Sequence, residues 1–146
     1  MRAEAAPINS KKRTIQVQHI GDTQFSVSIR DHGMIVDQPR AAGGKDEGPT
    51  PTELLIASLA TCVAFFGRGF LHSRGLPDRV NVYATWYMEL SPMRVTQVEL
   101  RVEAPGITPE DMQALQRTLE HCTVQNAFDD PPLVELEVTT RETFAT

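Results

Sequence analysis

The sequence predicts an α+β fold of antiparallel sheets with two long helices, and three observations carry that prediction. Candidate strands follow one another with no helix between them, and the two helical stretches stand between strand groups instead of after every strand. One of those helices is apolar nearly all round, so it has to sit at the centre of the packing.

The first three strands are expected at Arg13–Ile20, Gln24–Arg30 and Gly33–Asp37, separated by the turn chemistry of Gly21-Asp22 and Asp31-His32-Gly33. They read as a meander. In the middle strand Phe25, Val27 and Ile29 alternate with Ser26, Ser28 and Arg30, so one face is apolar and Arg30 points off it. Lys11-Lys12-Arg13, at the start of the first strand, reads as a solvated edge. Gln38 to Pro49 carries two prolines and three glycines among mixed charges and is expected to be a loop, long enough to serve function.

Thr50-Pro51-Thr52-Glu53 announces a helix, with Thr50 as N-cap, Pro51 at the first helical position and Glu53 completing a capping box. The helix is expected to run to about Ser73. Arg68, His72 and Arg74 suit the negative end of its dipole, and Gly75 can end it. A long hairpin follows. Val80, Val82, Ala84, Trp86, Met88 and Leu90 share one face of Arg79–Leu90, and Thr96–Ala104 repeats the alternation after a turn at Ser91-Pro92. A second helix opens at Thr108-Pro109-Glu110-Asp111 and carries Met112, Leu115, Leu119 and Cys122 as its apolar stripe, with Ile107 and Met112 spaced for a hydrophobic staple. After Asp129-Asp130-Pro131-Pro132 a last strand is expected over Leu133–Thr140.

At 146 residues and 40% hydrophobic composition the chain is read as a single domain, 1–146, with no internal repeat or linker. One small sheet covers only one side of an apolar helix, so a second subunit is expected to cover the rest. The net charge is −5 and no stretch gathers Lys and Arg into a phosphate-tracking stripe, which argues against nucleic acid as a partner. The apolar run Leu54 to Phe66 falls short of the roughly twenty residues that span a bilayer, so no membrane role is expected. Met1 to Ser10 lacks the hydrophobic stretch of a secretory signal, which makes the cytoplasm the default compartment.

Chemistry centres on two cysteines. Cys62 shares a helical stripe with Leu55, Leu59, Phe66 and Gly69, so its thiol is expected to face a dry pocket. Burial raises a thiol pKa while attack needs the thiolate, so a reactive Cys62 requires a cation from elsewhere in the fold; without one it is a small core residue. Cys122 closes the second helix beside His121, where the dipole disfavours a thiolate, and so it suits a resolving role better than a nucleophilic one. No spacing of Cys and His suits a zinc site, and neither a nucleophile elbow nor a phosphate-binding glycine motif is present, so no metal and no cofactor is expected.

Two motifs carry a family resemblance. Gly48-Pro49-Thr50-Pro51-Thr52-Glu53-Leu54-Leu55 running into Ala57-Ser58-Leu59-Ala60-Thr61-Cys62, followed by His121-Cys122-Thr123-Val124-Gln125-Asn126, resembles the OsmC/Ohr family of osmotically inducible and organic hydroperoxide resistance proteins. The resemblance spans nearly the whole chain. It implies an intertwined α+β homodimer whose long helices are buried between sheets. It further implies thiol peroxidase chemistry on organic hydroperoxides in oxidative-stress defence. Cys62 would be the peroxidatic cysteine and Cys122 the resolving one, a disulfide would form between them, and a dithiol would restore both thiols.

In the family's peroxidases an arginine from the N-terminal strands and a glutamate at the helix start activate the thiolate. Aligned backwards from Cys62, that glutamate falls on Thr52, with Glu53 one place later. Glu53 and Cys62 are nine residues apart and project to nearly opposite sides of the helix, so capping is the stronger reading of Glu53, with an active-site role kept open. Near Gln24, where the arginine would align, there is no cation; Arg40 in the long loop and Arg30 on the strand are the substitutes. These departures resemble the broader OsmC-like branch. A cofactor-independent peroxidase using Cys62, Cys122 and Arg40 is the first reading, and apolar walls of Leu55, Leu59, Phe65 and Phe66 would favour bulky alkyl hydroperoxides. The alternatives are a non-catalytic dimer that binds an apolar small molecule or acts as a redox sensor, and a structural dimer with two core thiols.

Overall fold

The computed structural model describes residues 11–140, and the expectation for Met1 to Ser10 lies outside them. Two compact units meet between Leu55 and Ile56, inside one continuous helix. The fold is α+β, with antiparallel sheets and three helices.

The first unit holds the meander. Strands β1 (Gln16–Gly21), β2 (Gln24–Ile29) and β3 (His32–Val36) pair antiparallel in sequence order. The first strand starts three residues later than Arg13. Asp22 and Arg30 take left-handed backbone angles at the two turns, and Val27 and Val36 are buried.

The segment after β3 is more ordered than a plain loop. Asp37 is fully buried, and its carboxylate accepts the Thr23 hydroxyl at 2.6 Å, the Gln24 side-chain amide at 3.3 Å, and the backbone N–H groups of Gln38 (2.7 Å), Lys45 (3.2 Å) and Glu47 (3.2 Å). The Thr23 hydroxyl, with the backbone amides behind it, holds the Asp37 carboxyl far below the ordinary carboxylate range against the opposing effect of burial. Around this carboxylate the chain makes a 3₁₀ turn at Arg40–Ala42 and folds back on itself. A Cβ on Gly44 would lie 1.8 Å from the Gln38 carbonyl oxygen and one on Gly48 2.1 Å from that of Ile35, so only glycine allows either approach.

Helix α1 (Pro51–Ser73) begins and ends as its sequence demands. The Thr50 hydroxyl accepts the Glu53 N–H at 3.2 Å and the Glu53 carboxylate accepts the Thr50 N–H at 2.8 Å, which is a closed capping box. At the other end Gly75 (φ 66°) gives its N–H to the His72 carbonyl, and Leu76 gives its own to that of Leu71, a Schellman stop. Asp78 accepts Arg68 at 2.9 Å and faces His72 at 3.4 Å.

The second unit is built on one face of α1. Ile56, Leu59, Val63, Gly67 and Leu71 are buried at spacings of three and four, whereas of the expected line Leu59 is buried, Cys62 and Phe66 are half-buried and Leu55 and Gly69 are exposed. Leu59 and Val63 pack with Val82 of β4 (Asn81–Leu90), with Val98, Leu100 and Val102 of β5 (Met93–Glu103), and with Leu119 of α2 (Pro109–Leu119). Gly67 keeps Val80 and Leu119 close: its missing Cβ would stand 3.3 Å and 3.7 Å from them. The opposite face is open in this chain, with Phe65 71% exposed, so the helix is covered on one side only. By length and composition α1 could cross a membrane, since its 23 residues exceed the shorter run Leu54 to Phe66, but it packs as a core helix does.

Strand β5 begins at Met93, three residues before the expected Thr96, because the register slips between Tyr87 and Met88. The slip leaves Thr96 as an extra residue whose hydroxyl donates to the Tyr87 carbonyl, and it breaks the period of two that marks a strand. Helix α2 is capped by the Thr108 hydroxyl, which accepts the Asp111 N–H.

Two expectations fail at the C-terminal end. The second helix does not reach Cys122: it stops at Leu119, and a separate helix α3 runs over Thr123–Asp129. Leu133–Thr140 is not a strand. No described strand pairs with it, and Leu133, Val134, Leu136 and Val138 are 74–86% exposed. Alternation alone makes a strand only where a sheet edge accepts its backbone groups.

Leu71, fully buried at the Schellman stop, tests the core stripe. Leu71→Ala is expected to destabilise the protein by about 2–5 kcal/mol, read as a lower urea midpoint with an unchanged slope.

Candidate functional site: a pair of thiols

Cys62 and Cys122 come together in the second unit. Cys122 is fully buried in one cluster with Leu59 and Val63, and Cys62 packs against that cluster while keeping part of its surface exposed. Both thiols are free. Cys62 owes its position to the buried stripe of α1: one residue before buried Val63, it lies on the shoulder of the buried face, where a thiol touches both protein and solvent.

The surroundings of Cys122 differ from a helix C-terminus. Its backbone is extended (φ −69°, ψ 154°), it is the N-cap of α3, and its Sγ accepts the Gln125 N–H at 3.4 Å. The dipole at this residue is therefore that of an N-terminus, which favours a thiolate and reverses the expectation drawn from a single long helix. Desolvation outweighs it. Burial pushes the Cys122 thiol above the ordinary 9.0, the Gln125 and Val124 backbone N–H groups pull it down, and the neighbouring Cys62 thiol pushes it up again. Cys122 is thus a protonated thiol at neutral pH.

The other expected site residues belong to the first unit, and the two thiols to the second. Glu53 is occupied by the capping box, and Arg40 is exposed in the 3₁₀ turn; both belong to the first unit. Arg30 is exposed at a turn. In the second unit Arg68, Arg74, Arg94 and Arg101 are tied to Asp78, Asp111, Glu89 and Glu103. No cluster of three metal-ligating side chains occurs among the described residues.

An apolar groove of about 570 Å³ lies beside the thiol pair, walled by Val63, Leu100, Val102, Met112, Leu115 and Leu119. It shares Val63, Leu100, Val102 and Leu119 with the packing around Cys122, and Glu120, Gln125 and Asp129 stand at its rim. These walls are not the expected ones: Phe65 is turned to solvent, while Leu59 is buried in the core. Gln125 and its helix are what sequence reasoning missed. The signal was present, since Val124, Ala127 and Phe128 have helical spacing and Pro131-Pro132 enforce a stop.

The model of the OsmC-like protein family matches residues 44–137, which include both cysteines and all of α1 through α3. This chain belongs to the OsmC-like family. No curated protein matches it. Among solved structures, it is similar to a candidate osmotic stress induced and detoxification response protein from Psychrobacter arcticus (22% identity, 83% of this chain and 91% of that one, TM-score 0.73). It is also similar to an OsmC-like protein from Mycoplasma pneumoniae (15% identity, 83% and 89%, TM-score 0.70). A third is an organic hydroperoxide resistance protein, OsmC, from Legionella pneumophila (20% identity, 83% and 93%, TM-score 0.64). The α+β fold is theirs.

The raised Cys122 pKa fixes a sign. A thiol raised on folding contributes stability that is complete below the unfolded value and is lost as pH rises through the folded one. The melting temperature is expected to fall as pH rises above about 9, and to fall less steeply in Cys122→Ser. Equal slopes for the two proteins in a pH series of thermal melts would contradict this.

Proposed function

We propose that the protein is a cofactor-independent thiol peroxidase that reduces organic hydroperoxides in the cytoplasm as part of oxidative-stress defence. One observation carries the reading: the two thiols are neighbours, and only Cys62 is open to a substrate. That inequality sets the order of events. The Cys62 sulfur attacks the terminal peroxide oxygen, the O–O bond breaks, and the organic fragment leaves as an alcohol carrying the thiol's proton; Cys62 becomes a sulfenic acid. The Cys122 sulfur then attacks the Cys62 sulfur, an S–S bond forms, and the hydroxyl leaves as water with the Cys122 proton. A dithiol reductant reduces the disulfide and is itself oxidised to one.

Burial protects Cys122 from direct attack by peroxide, and its raised pKa costs little in a step between groups already in contact. Arg40 is the cation assigned to the Cys62 thiolate, and Glu53 acts by fixing the start of the helix that carries Cys62. The apolar groove, which shares walls with the cysteine cluster, favours a bulky alkyl substrate over hydrogen peroxide. The working form is a homodimer. Its support is the open face of α1 around Phe65 and the exposed apolar segment from Leu133 to Val138, both of which a second copy would cover.

With cumene hydroperoxide and a dithiol, the reduced protein is expected to turn over while Cys62→Ser is inactive and Arg40→Ala is at least about ten-fold slower, the loss of one charge-assisted hydrogen bond. Turnover by Cys62→Ser at the parent rate would end the proposal. Sedimentation at micromolar concentration is expected to give a dimer, and a monomer there would remove the second subunit from it.

A further inference from the structure

The sulfur of Cys122 has two duties. It faces Cys62 in the core, and it caps the first turn of α3 by accepting the Gln125 N–H at 3.4 Å. Helix α3 is a poor candidate to survive without that cap. It has seven residues, none of them fully buried and only Val124 packed against the core, and a chain this short gains little from helix propagation. Beyond it lie Asp130, two prolines and the exposed apolar segment Leu133 to Val138, which no described strand pairs.

We propose that oxidation of the Cys62–Cys122 pair uncaps α3, so that the thiol state of the core is displayed at the surface by residues 123–129. The inference rests on the disulfide-forming reading above and adds to it a regulatory consequence. Two thiols lose two electrons and two protons to a hydroperoxide, which leaves as an alcohol and water. The sulfurs must then close from non-bonded contact to about 2.05 Å. Cys62 sits in the middle of a 23-residue helix with Val63 buried beside it, so Cys122 makes most of that movement. Its sulfur is drawn toward α1 and away from the Gln125 N–H, which lengthens a contact that is already weak at 3.4 Å. The first turn is also held by the Cys122 carbonyl, which accepts the Asn126 N–H at 3.0 Å, and by the Asn126 side-chain amide, which donates to the His121 carbonyl at 3.5 Å, and both depend on where Cys122 stands.

Amide hydrogen exchange read by mass spectrometry tests this on the full chain, comparing protein reduced with a dithiol and protein oxidised with diamide, which takes the same two electrons and two protons without peroxidase chemistry. Exchange over 123–129 is expected to quicken about five-fold on oxidation, the usual effect of a lost cap, while 109–119 of α2 is unchanged. Cys122→Ala is expected to exchange fast in both conditions. Cys122→Ser, whose hydroxyl is a good cap, is expected to stay slow in both. Equal or slower exchange over 123–129 after the disulfide has formed would overturn the inference, and so would failure of diamide to join the two cysteines. If diamide quickens exchange and a hydroperoxide does not oxidise the pair, the uncapping stands and the peroxidase reading falls.

Discussion

Because Leu59 and Val63 of α1 are pressed against Cys122 and the inner residues of β4 and β5, the other elements of the second unit are placed by what must reach that ridge. The hairpin brings Val82, Val98, Leu100 and Val102 to it, and α2 brings Leu119. Gly67 sets the closest approach: a side chain there would meet Val80 and Leu119. The two thiols are neighbours as a by-product of this packing. Cys122 is one of the ridge's partners, and Cys62 is the residue next to Val63 on the helical surface. The chemistry of the pair therefore depends on hydrophobic contact more than on any dedicated polar frame.

That arrangement explains the inequality of two identical side chains. A rotation of α1 by one residue would bury Cys62 or turn it fully to solvent, since a residue is worth about 100° of helix. As it lies, Cys62 has one flank in the core and one in solvent, while Cys122 has none in solvent. The same groups at Cys122 act in opposite directions on its proton: backbone N–H groups favour the anion, and burial and the second thiol disfavour it more. A thiol so held is inert toward bulk reagents and available only to the sulfur beside it.

The parts legible in the sequence were those set by local chemistry. The capping box at Thr50 and Glu53, the Gly75 stop, the meander and the hairpin all follow from neighbours a few residues apart, and the described chain has them. What was not legible depended on distant partners. Asp37 looks like the polar last residue of a strand until Thr23, Gln24, Lys45 and Glu47 are brought around it. Leu133 to Val138 alternates like a strand, yet a strand needs an edge, and no described strand offers one. At the thiol site both cysteines were found from the residues and the family pattern. The break before Cys122 was hidden because an apolar stripe continued through it, and the bulge at Thr96 hid three residues of β5 by shifting the alternation.

The knot around Asp37 has a consequence for how this protein can vary. One carboxylate and two glycines, Gly44 and Gly48, define the path of the chain between β3 and α1, through contacts made almost wholly by backbone groups. Ala41 and Ala42 lie on the outside of that path and contribute exposed side chains to it. Their identities are consequently decoupled from the loop's shape. Descendants of this sequence could exchange the bulk displayed at those two positions freely, provided three inward positions are kept, and so diversify a surface without rebuilding the frame beneath it.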